Sequence, residues 1–510
     1  MAHPIQVANK AMGIMASPSR NMIFSVTPFA TSFEDKESFS FFRQRVAMKI
    51  SGACASKFWD TLVLQVASSE SAVFHAVVAL STANKAIVLK EGQPRGDSIR
   101  NGAEKLVLFH YSIAIQQLLS KKTEITRHSL RTALICCMVF VSLDLLLGRY
   151  QTAVQHLHSA GELIEELLGH TTVHIGRPLD APAPPETDYV ETEIQRAVSS
   201  MRARMVLLGS HGGYLRPLRG IYCSRSSAPF ISTMEATNSL DRILEDVQEL
   251  RHIARQESPW EKAHCNAALV NFQRRVLAEL QCWKHRFGPL AATYDDRTSS
   301  REAIACRAAK NYYTMASIMS SACFDCESAL APSDFVQEFI DIIKNSIELW
   351  HMARDPELYR RVFERTRDQD RDSGYVNDGG WIAPLFFVAL KCHHPRIRMH
   401  AIRLLRQSDH QEGIWKSDIA VIVAARVMKL EEQYLNRDAP ICEDFELDQI
   451  PTCHDPEAVS LLFYQIFYDI EIVMPDDAAG ELLLRCHSWN IHHEREVIEE
   501  TYNIETRIWK

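Results

Sequence analysis

Several signals are scarce in this chain of 510 residues, and each scarcity removes a class of protein. Glycine and proline are few, 19 and 20 positions, which excludes collagen-like and low-complexity chains. Basic charge is in deficit, with 56 Lys and Arg against 64 Asp and Glu. A free-standing nucleic-acid binder usually carries a basic face, and this balance gives no support for one. The 13 cysteines are odd in number and irregularly spaced, so they do not read as a disulfide framework. No Asn-x-Ser/Thr sequon occurs, and a reducing interior is the expected compartment. The first twenty residues lack an apolar run behind a basic start, which argues against a signal peptide. The longest apolar stretch, Thr132 to Gly148, falls short of the roughly 20 residues of a spanning helix and carries Asp144. It reads as a buried helix, and no membrane association is expected.

What the chain does have is hydrophobic periodicity. At 46% hydrophobic residues a large core is available, and apolar residues recur at offsets of three and four. Phe58, Leu62 and Val66 share a face, as do Val73, Val77 and Leu80, and Leu106, Phe109 and Ile113. Gly148-Arg149-Tyr150 interrupts the apolar helix before Ala153, Leu157, Ala160 and Ile164 resume, the pattern of an αα-hairpin. Val190 to Leu208, Ser239 to Gln256, Trp260 to Arg286 and Ala420 to Tyr434 read as further helices, with Ser333 as the N-cap of another. Period-two alternation is rare. The expected fold is all-α, an irregular array of αα-hairpins with little or no β structure. Its expected divisions are a flexible tail over 1–30, a first helical half over 31–170, a Pro-rich linker over 171–189, a second helical half over 190–435 and a helical extension over 436–510.

Chemistry is harder to find. No phosphate-loop, dinucleotide, nucleophile-elbow or zinc-protease motif occurs. The glycine cluster Gly209 to Gly213 fits no phosphate-loop spacing and reads as a helix end followed by a loop. Cys323 and Cys326 form a C-x-x-C without a second ligand pair. Cys486, His487, His492, His493 and Glu494 are metal-ligand types, yet His487 and His492 would lie on different helix faces, with Trp489 and Ile491 between them pointing to packing. The carboxylate pairs Glu165-Glu166, Asp476-Asp477 and Glu499-Glu500 read as solvated helix faces. Arg202, Arg204, Arg216, Arg219 and Arg225 are the one basic concentration, without a ladder of aromatics. No catalytic, cofactor-binding, metal or DNA-binding residue emerges, and no cofactor and no enzymatic activity are expected.

Three passages carry a resemblance. The first is Ser38-Phe-Ser-Phe-Phe-Arg-Gln-Arg45 with Phe58-Trp-Asp60, Leu64-Gln65 and Glu70 to Leu80. The second is Ala133 to Val141 with Gly148-Arg-Tyr-Gln-Thr-Ala153 and His156-Leu-His158. The third is Ile382 to Ala389, Lys391 to Arg398, Ala401 to Leu405 and Glu412-Gly-Ile-Trp415. In this order they resemble the long regulatory region of fungal zinc-cluster (Zn2Cys6) transcription factors, over about residues 30–435. The resemblance implies a nuclear regulator, with cytoplasm as the alternative, whose helical region takes effectors or partners and supports dimerisation. Members of that family hold two zinc ions in six closely spaced N-terminal cysteines. Here the first cysteine is Cys54, and no window offers six.

The expectation is therefore a transcription-regulator-like protein without its own zinc cluster and without direct sequence-specific DNA binding. It would act through a zinc-cluster factor, a homodimer or a small-molecule effector, in fungal gene regulation that could include secondary metabolism. Two alternatives remain: an accessory or small-molecule-binding protein of a biosynthetic pathway on the same scaffold, and a truncated gene model of a complete factor.

Overall fold

The computed structural model describes residues 28–30, 32–52, 56–90, 97–120, 126–169, 189–205, 227–256, 267–294, 300–323, 335–354, 375–376, 380–392, 394–408, 410–434, 445–451, 467, 469–476, 480–489 and 494–510. Most of the expected tail, the Pro-rich linker before Tyr189, the glycine cluster and the Ser333 cap lie outside these residues.

The helical reading holds for the body of the chain. Helix α1 (Phe33–Phe41) passes through a π turn (Phe42–Val46) into α2 (Ala47–Ile50), and a second π turn (Phe58–Leu62) leads into α3 (Val63–Ser69). There follow α4 (Ser71–Lys90), α5 (Asp97–Ser120), α6 (Arg127–Leu147), α7 (Tyr150–Gly169) and α8 (Tyr189–Met205). The second half adds α9 (Thr233–Gln256), α10 (Ala267–Thr293), α11 (Arg301–Ser321), α12 (Val336–Arg354), α13 (Ile382–Lys391), α14 (Pro395–Arg406) and α15 (Ser417–Tyr434). Helix α6 begins on a Thr126/Ser129 capping box and ends at Gly148, whose φ of 77° is the left-handed cap that glycine adopts without strain. The chain then turns directly into α7, as the Gly-Arg-Tyr interruption predicts. Helix α6 is long and apolar enough to cross a membrane, but 78% of its apolar window is buried inside the fold.

Helix α5 departs from the sequence reading in phase. Leu106, Phe109 and Ile113 were the expected inner face, yet the fully buried positions are Val107, His110 and Ala114, and Phe109 is 58% exposed. The inner face rotates because His110 has polar partners in the core: its Nδ1 lies 2.9 Å from His75 Nδ1 on α4, and its Nε2 lies 3.3 Å from Asp35 Oδ1 on α1. A pattern of apolar residues does not register a histidine that is satisfied inside.

The C-terminal extension corrects the expectation outright. Where helix was predicted over 436–510, the described residues form an antiparallel meander of β4 (Asp469–Val473), β5 (Glu481–Trp489), β6 (Arg495–Asn503) and β7 (Ile508–Trp509). Leu482, Leu484, Cys486 and Ser488 point inward on alternate positions of β5, joined by Ile470 and Ile472 of β4. That is the period-two signal of a half-buried strand. Across the outer face Glu471, Arg485 and Glu499 stand opposite one another in register, with Arg485 contacting the two carboxylates at 3.3 and 2.7 Å. The sheet is tied to the helical body at several points. Thr152 at the start of α7 donates its backbone N–H and its hydroxyl to the Asp476 carboxylate, Gln151 donates to Met474 O, and Arg255 pairs with Asp469 at 2.6 Å. Arg426 of α15 pairs with Glu500.

A smaller sheet joins β1 (Tyr375–Val376), β2 (Gln411–Glu412) and β3 (Trp415–Lys416). It positions Glu412, whose buried carboxylate accepts from the backbone N–H groups of Gly380, Trp381 and Ile382 at the start of α13. Near the far end of this region Phe445 to Asp448 form a strap on α14. The Phe445 ring lies under the guanidinium groups of Arg396 and Arg403 at 4.6 and 4.4 Å, and His400 Nε2 lies 2.8 Å from Leu447 O. Burial, seconded by Arg396 and Arg403, pushes the His400 imidazole down to about 4. A histidine with a lowered folded value costs stability as pH falls from about 6.5 towards that value. The loss through this one residue is about 3 kcal/mol, and His400→Leu is expected to remove that part of the acid sensitivity in urea-unfolding midpoints.

Candidate functional site

Three parts of the chain line a shallow, solvent-open cleft. The first is made by Ile50 and Ser51 at the end of α2 and by Ser56 to Trp59. Gly52 turns the chain at a φ of 62°, and Arg301 clamps the turn by donating from Nε and Nη2 to Gly52 O at 3.0 and 2.6 Å. The Ser51 hydroxyl lies 2.9 Å from Ala47 O and 3.0 Å from Asp60 Oδ1. Burial pushes the Asp60 carboxyl up, against the opposing pull of Arg301 and the Ser51 hydrogen bond. The π turn that follows lays Phe58 and Trp59 edge to face, with ring centroids 5.0 Å apart, at the base of the cleft.

Helix α8 supplies the second wall. Glu193, Ala197, Ser200, Met201 and Arg204 fall at offsets of three and four, on one face. The helix is held in place at its start by Glu191, a buried carboxylate that takes Arg127 and Arg131 of α6, each at 2.7 Å. At its other end Trp415 Nε1 donates to Arg204 O at 3.1 Å. Helix α9 supplies the third wall through Met234, Thr237, Asn238 and Asp241, again at helical spacing.

The cleft is lined by apolar Ile50, Phe58, Trp59 and Met201 together with charged Lys57, Glu193, Arg196, Arg204 and Asp241. Glu193 takes Arg196 at 2.6 Å, and Asp241 takes Arg204 Nη2 at 3.3 to 3.4 Å. Lys57 Nζ stands 5.4 Å from the Tyr189 ring, a cation–π distance. Among the described lining residues there is neither histidine nor cysteine. A second, smaller recess lies between α13, α15, β3 and β4, lined by apolar side chains and Lys416.

Two buried polar chains run through the helical body outside the cleft. One is Asp35–His110–His75, already described. In the other, Tyr111 Oη lies 2.9 Å from His156 Nε2, and the same nitrogen lies 3.5 Å from Asp144 Oδ2. Asp144 is fully buried, with no hydrogen-bond partner on either oxygen. Burial pushes its carboxyl up to about 7, opposed by Arg149 and reinforced by Asp476.

The residues weighed from sequence are placed apart from the cleft, with one exception. Arg204 lines it, whereas Arg202 is buried between helices and Arg216, Arg219 and Arg225 lie outside the described residues. Cys486 and His487 are consecutive on β5 and so face opposite sides of a strand; His492 and His493 lie outside the described residues. Cys323 sits just beyond the end of α11, and Cys326 is not described. Glu165 and Glu166 lie on the solvent side of α7, whereas Glu499 and Glu500 are strand residues with arginine partners, which corrects their reading as a helix face. Among the described residues no group of three or more His, Cys, Asp or Glu side chains is arranged to hold a metal ion. Sequence reasoning missed the cleft, whose members come from segments about 140 and 180 positions apart; the offsets 193, 197, 200, 201 and 204 were its one visible trace.

Comparison with known families places residues 37–206 on the model of the fungal specific transcription factor domain. That stretch runs from within α1 to the end of α8, and so includes two of the three walls of the cleft. It covers about a third of the chain and the first two of the three passages noted in the sequence. None of the curated proteins and none of the solved structures compared with the chain matches it.

Proposed function

We propose that this chain, which carries a fungal specific transcription factor domain over residues 37–206, regulates transcription in the nucleus through protein partners. On this reading it reaches DNA by way of a DNA-binding partner, such as a zinc-cluster protein. The observation that carries the reading is the family match to the helical segment α1 to α8. The charge balance of −8 supports it, as does the placement of Arg202 and Arg204 in the interior and at a carboxylate. Both placements speak against a basic face for the phosphate backbone.

Helix α5 offers a surface suited to a helical partner. Leu108, Ser112, Ile115 and Leu119 repeat at offsets of four, three and four, a coiled-coil seam, with Phe109 beside them. Leu108, Phe109 and Leu119 are 48%, 58% and 52% exposed. The seam carries no charge between Lys105 and Leu119, so it suits an apolar helix stripe on the partner.

The test is a reporter assay in fungal cells with the full chain tethered to DNA through a heterologous binding domain, alongside capture of nuclear proteins on the untethered chain. The expected result is altered reporter output and recovery of a DNA-binding factor, both reduced by Leu108→Glu with Phe109→Glu. The purified chain alone should show no salt-sensitive shift of duplex DNA at physiological ionic strength. An unchanged reporter with no DNA-binding factor recovered would defeat the reading, as would a specific submicromolar shift by the chain alone.

A further inference from the structure

We infer that the face of α14 carrying Arg396, His400 and Arg403 is a binding site for an acidic peptide with an aromatic and an aliphatic residue two apart. The chain's own segment 445–448 occupies it in cis, and a partner's peptide of the same kind takes its place in exchange. The inference stands on α14 and its strap and not on the regulatory reading. Spacings of four and three put the three groups on one side of the helix. Helix α14 holds four arginines and no acidic residue, so the anionic partner that such a helix attracts comes from elsewhere.

The resident segment shows what the site reads. The Phe445 ring is buried, with its centroid 4.6 Å from the Arg396 guanidinium, 4.4 Å from that of Arg403 and 5.0 Å from the His400 ring. Cations over an aromatic ring favour Phe at this position over an aliphatic side chain. Two main-chain carbonyls are gripped as well: Arg403 Nη1 donates to Phe445 O, and His400 Nε2 lies 2.8 Å from Leu447 O. Every peptide has carbonyls, so these two contacts fix direction and register without asking for a sequence. Leu447 packs against the core, whereas Glu446 and Asp448 are exposed, and Asp448 meets His351 of α12 at 2.7 Å. Phe-acid-Leu-acid thus sets apolar residues inward and negative charge outward, beside a helix of the opposite sign.

The contacts are of a kind that permits exchange. On α14 the ring and the two carbonyls touch two guanidiniums and an imidazole, which water also solvates, so vacating them differs from opening an apolar core. The Asp448–His351 pair lies at the surface, where an ion pair contributes little. An incoming peptide needs no free arginine, because it takes over the contacts that the segment gives up. The cis segment competes at high effective concentration. An outside peptide therefore binds weakly to the resting chain and more tightly once the segment is loosened.

The experiment is ligand-observed NMR on the full chain with the acetylated and amidated peptide Phe-Glu-Leu-Asp-Gln-Ile, the sequence of residues 445–450. Phe445→Ala removes the ring that holds the cis segment, and this variant is expected to bind the peptide at least roughly tenfold more tightly than the parent. Asp448→Lys loosens the segment at an exposed position, and a rise of roughly fivefold is expected there. It carries the test by itself if Phe445→Ala lowers the helical circular dichroism. The same peptide with Ala in place of its Phe keeps the charge and should bind roughly tenfold more weakly. Arg403→Met, added to either variant, should return binding to the parental level or below. Equal binding by the parent and the Asp448→Lys chain would overturn the proposal, as would binding indifferent to the peptide's Phe or to Arg403. Absence of binding by both variants would overturn it as well. None of these outcomes bears on the tethered reporter, so the two readings fail separately.

Discussion

Asp144→Asn is expected to flatten the pH dependence of this protein's stability and to make the variant more stable than the parent above neutrality. Asp144 ends the buried helix α6 with its side chain out of contact with water and both oxygens without hydrogen-bond donors. Burial dominates its environment and pushes its carboxyl up to about 7. Four groups face it: Arg149 favours the charged form, Asp476 opposes it, and His156 and Tyr111 complete the surround. Burial lowers the His156 value and pushes the Tyr111 phenol up to about 12, so both are neutral near pH 7.

The sign is the reverse of the usual carboxylate case. Between the ordinary aspartate value and about 7 the folded chain holds this proton and the unfolded chain releases it, so stability falls as pH rises through that window. From about pH 5 to pH 8 the loss is about 3 kcal/mol, two pKa units at about 1.4 kcal/mol each. His75, His110 and His156, all lowered by burial, act in the opposite sense below their ordinary value, and they are common to parent and variant. The difference between the two proteins therefore isolates Asp144. Urea-unfolding midpoints of both at about pH 5 and about pH 8 measure it. Parallel pH profiles would mean that the carboxylate is solvated or paired in the folded chain.

The fold was legible where one period ran unopposed. Helix α6, the glycine stop at Gly148 and the face of Ala153, Leu157, Ala160 and Ile164 follow from spacing alone, and all four of those residues are buried. The phase of α5 was not legible, because His110 occupies a core position that an apolar count assigns to a neighbour. The C-terminal sheet carried its own signal in Leu482, Leu484 and Cys486. It is hidden because Cys486 and His487 read as metal-ligand types and not as the inward and outward halves of an alternation. The cleft was beyond a one-dimensional reading. Lys57 is unremarkable in its own segment and Arg204 reads only as part of a basic concentration; they line one cleft because α8 is pinned by Glu191 at one end and Trp415 at the other. The Asp144 environment is of the same kind: the acidic residue is visible in the apolar run, but its partners come from α5 and α7.

Glu412 shows how much stability one such non-local contact holds, and Glu412→Ala is expected to cost about 4 kcal/mol. Helix α13 runs from Ile382 to Lys391, and every residue from Ile382 to Leu390 is buried. Its first N–H groups have no helical partner of their own, as at any helix start. No side chain of the N-cap residue, Trp381, serves them. Glu412 does so from β2: its two oxygens accept from Gly380, Trp381 and Ile382 at 3.0 to 3.1 Å, and Oε1 also meets His410 Nε2 at 2.8 Å. A carboxylate at this end also complements the helix dipole. Removing it strands three backbone donors, two of them buried, in a place that water reaches poorly. Glu412→Gln keeps an acceptor oxygen but loses the charge, and an intermediate cost of about 2 kcal/mol is expected. Gly380 reports on the same contact independently, because a Cβ there would fall on the Glu412 carboxylate. Gly380→Val should therefore push the carboxylate off the cap while leaving residue 412 a glutamate, and its cost should not add to that of Glu412→Ala in the double variant. Urea-unfolding midpoints of the four proteins provide the cycle. Full additivity would show that the carboxylate and the glycine act on separate parts of the fold.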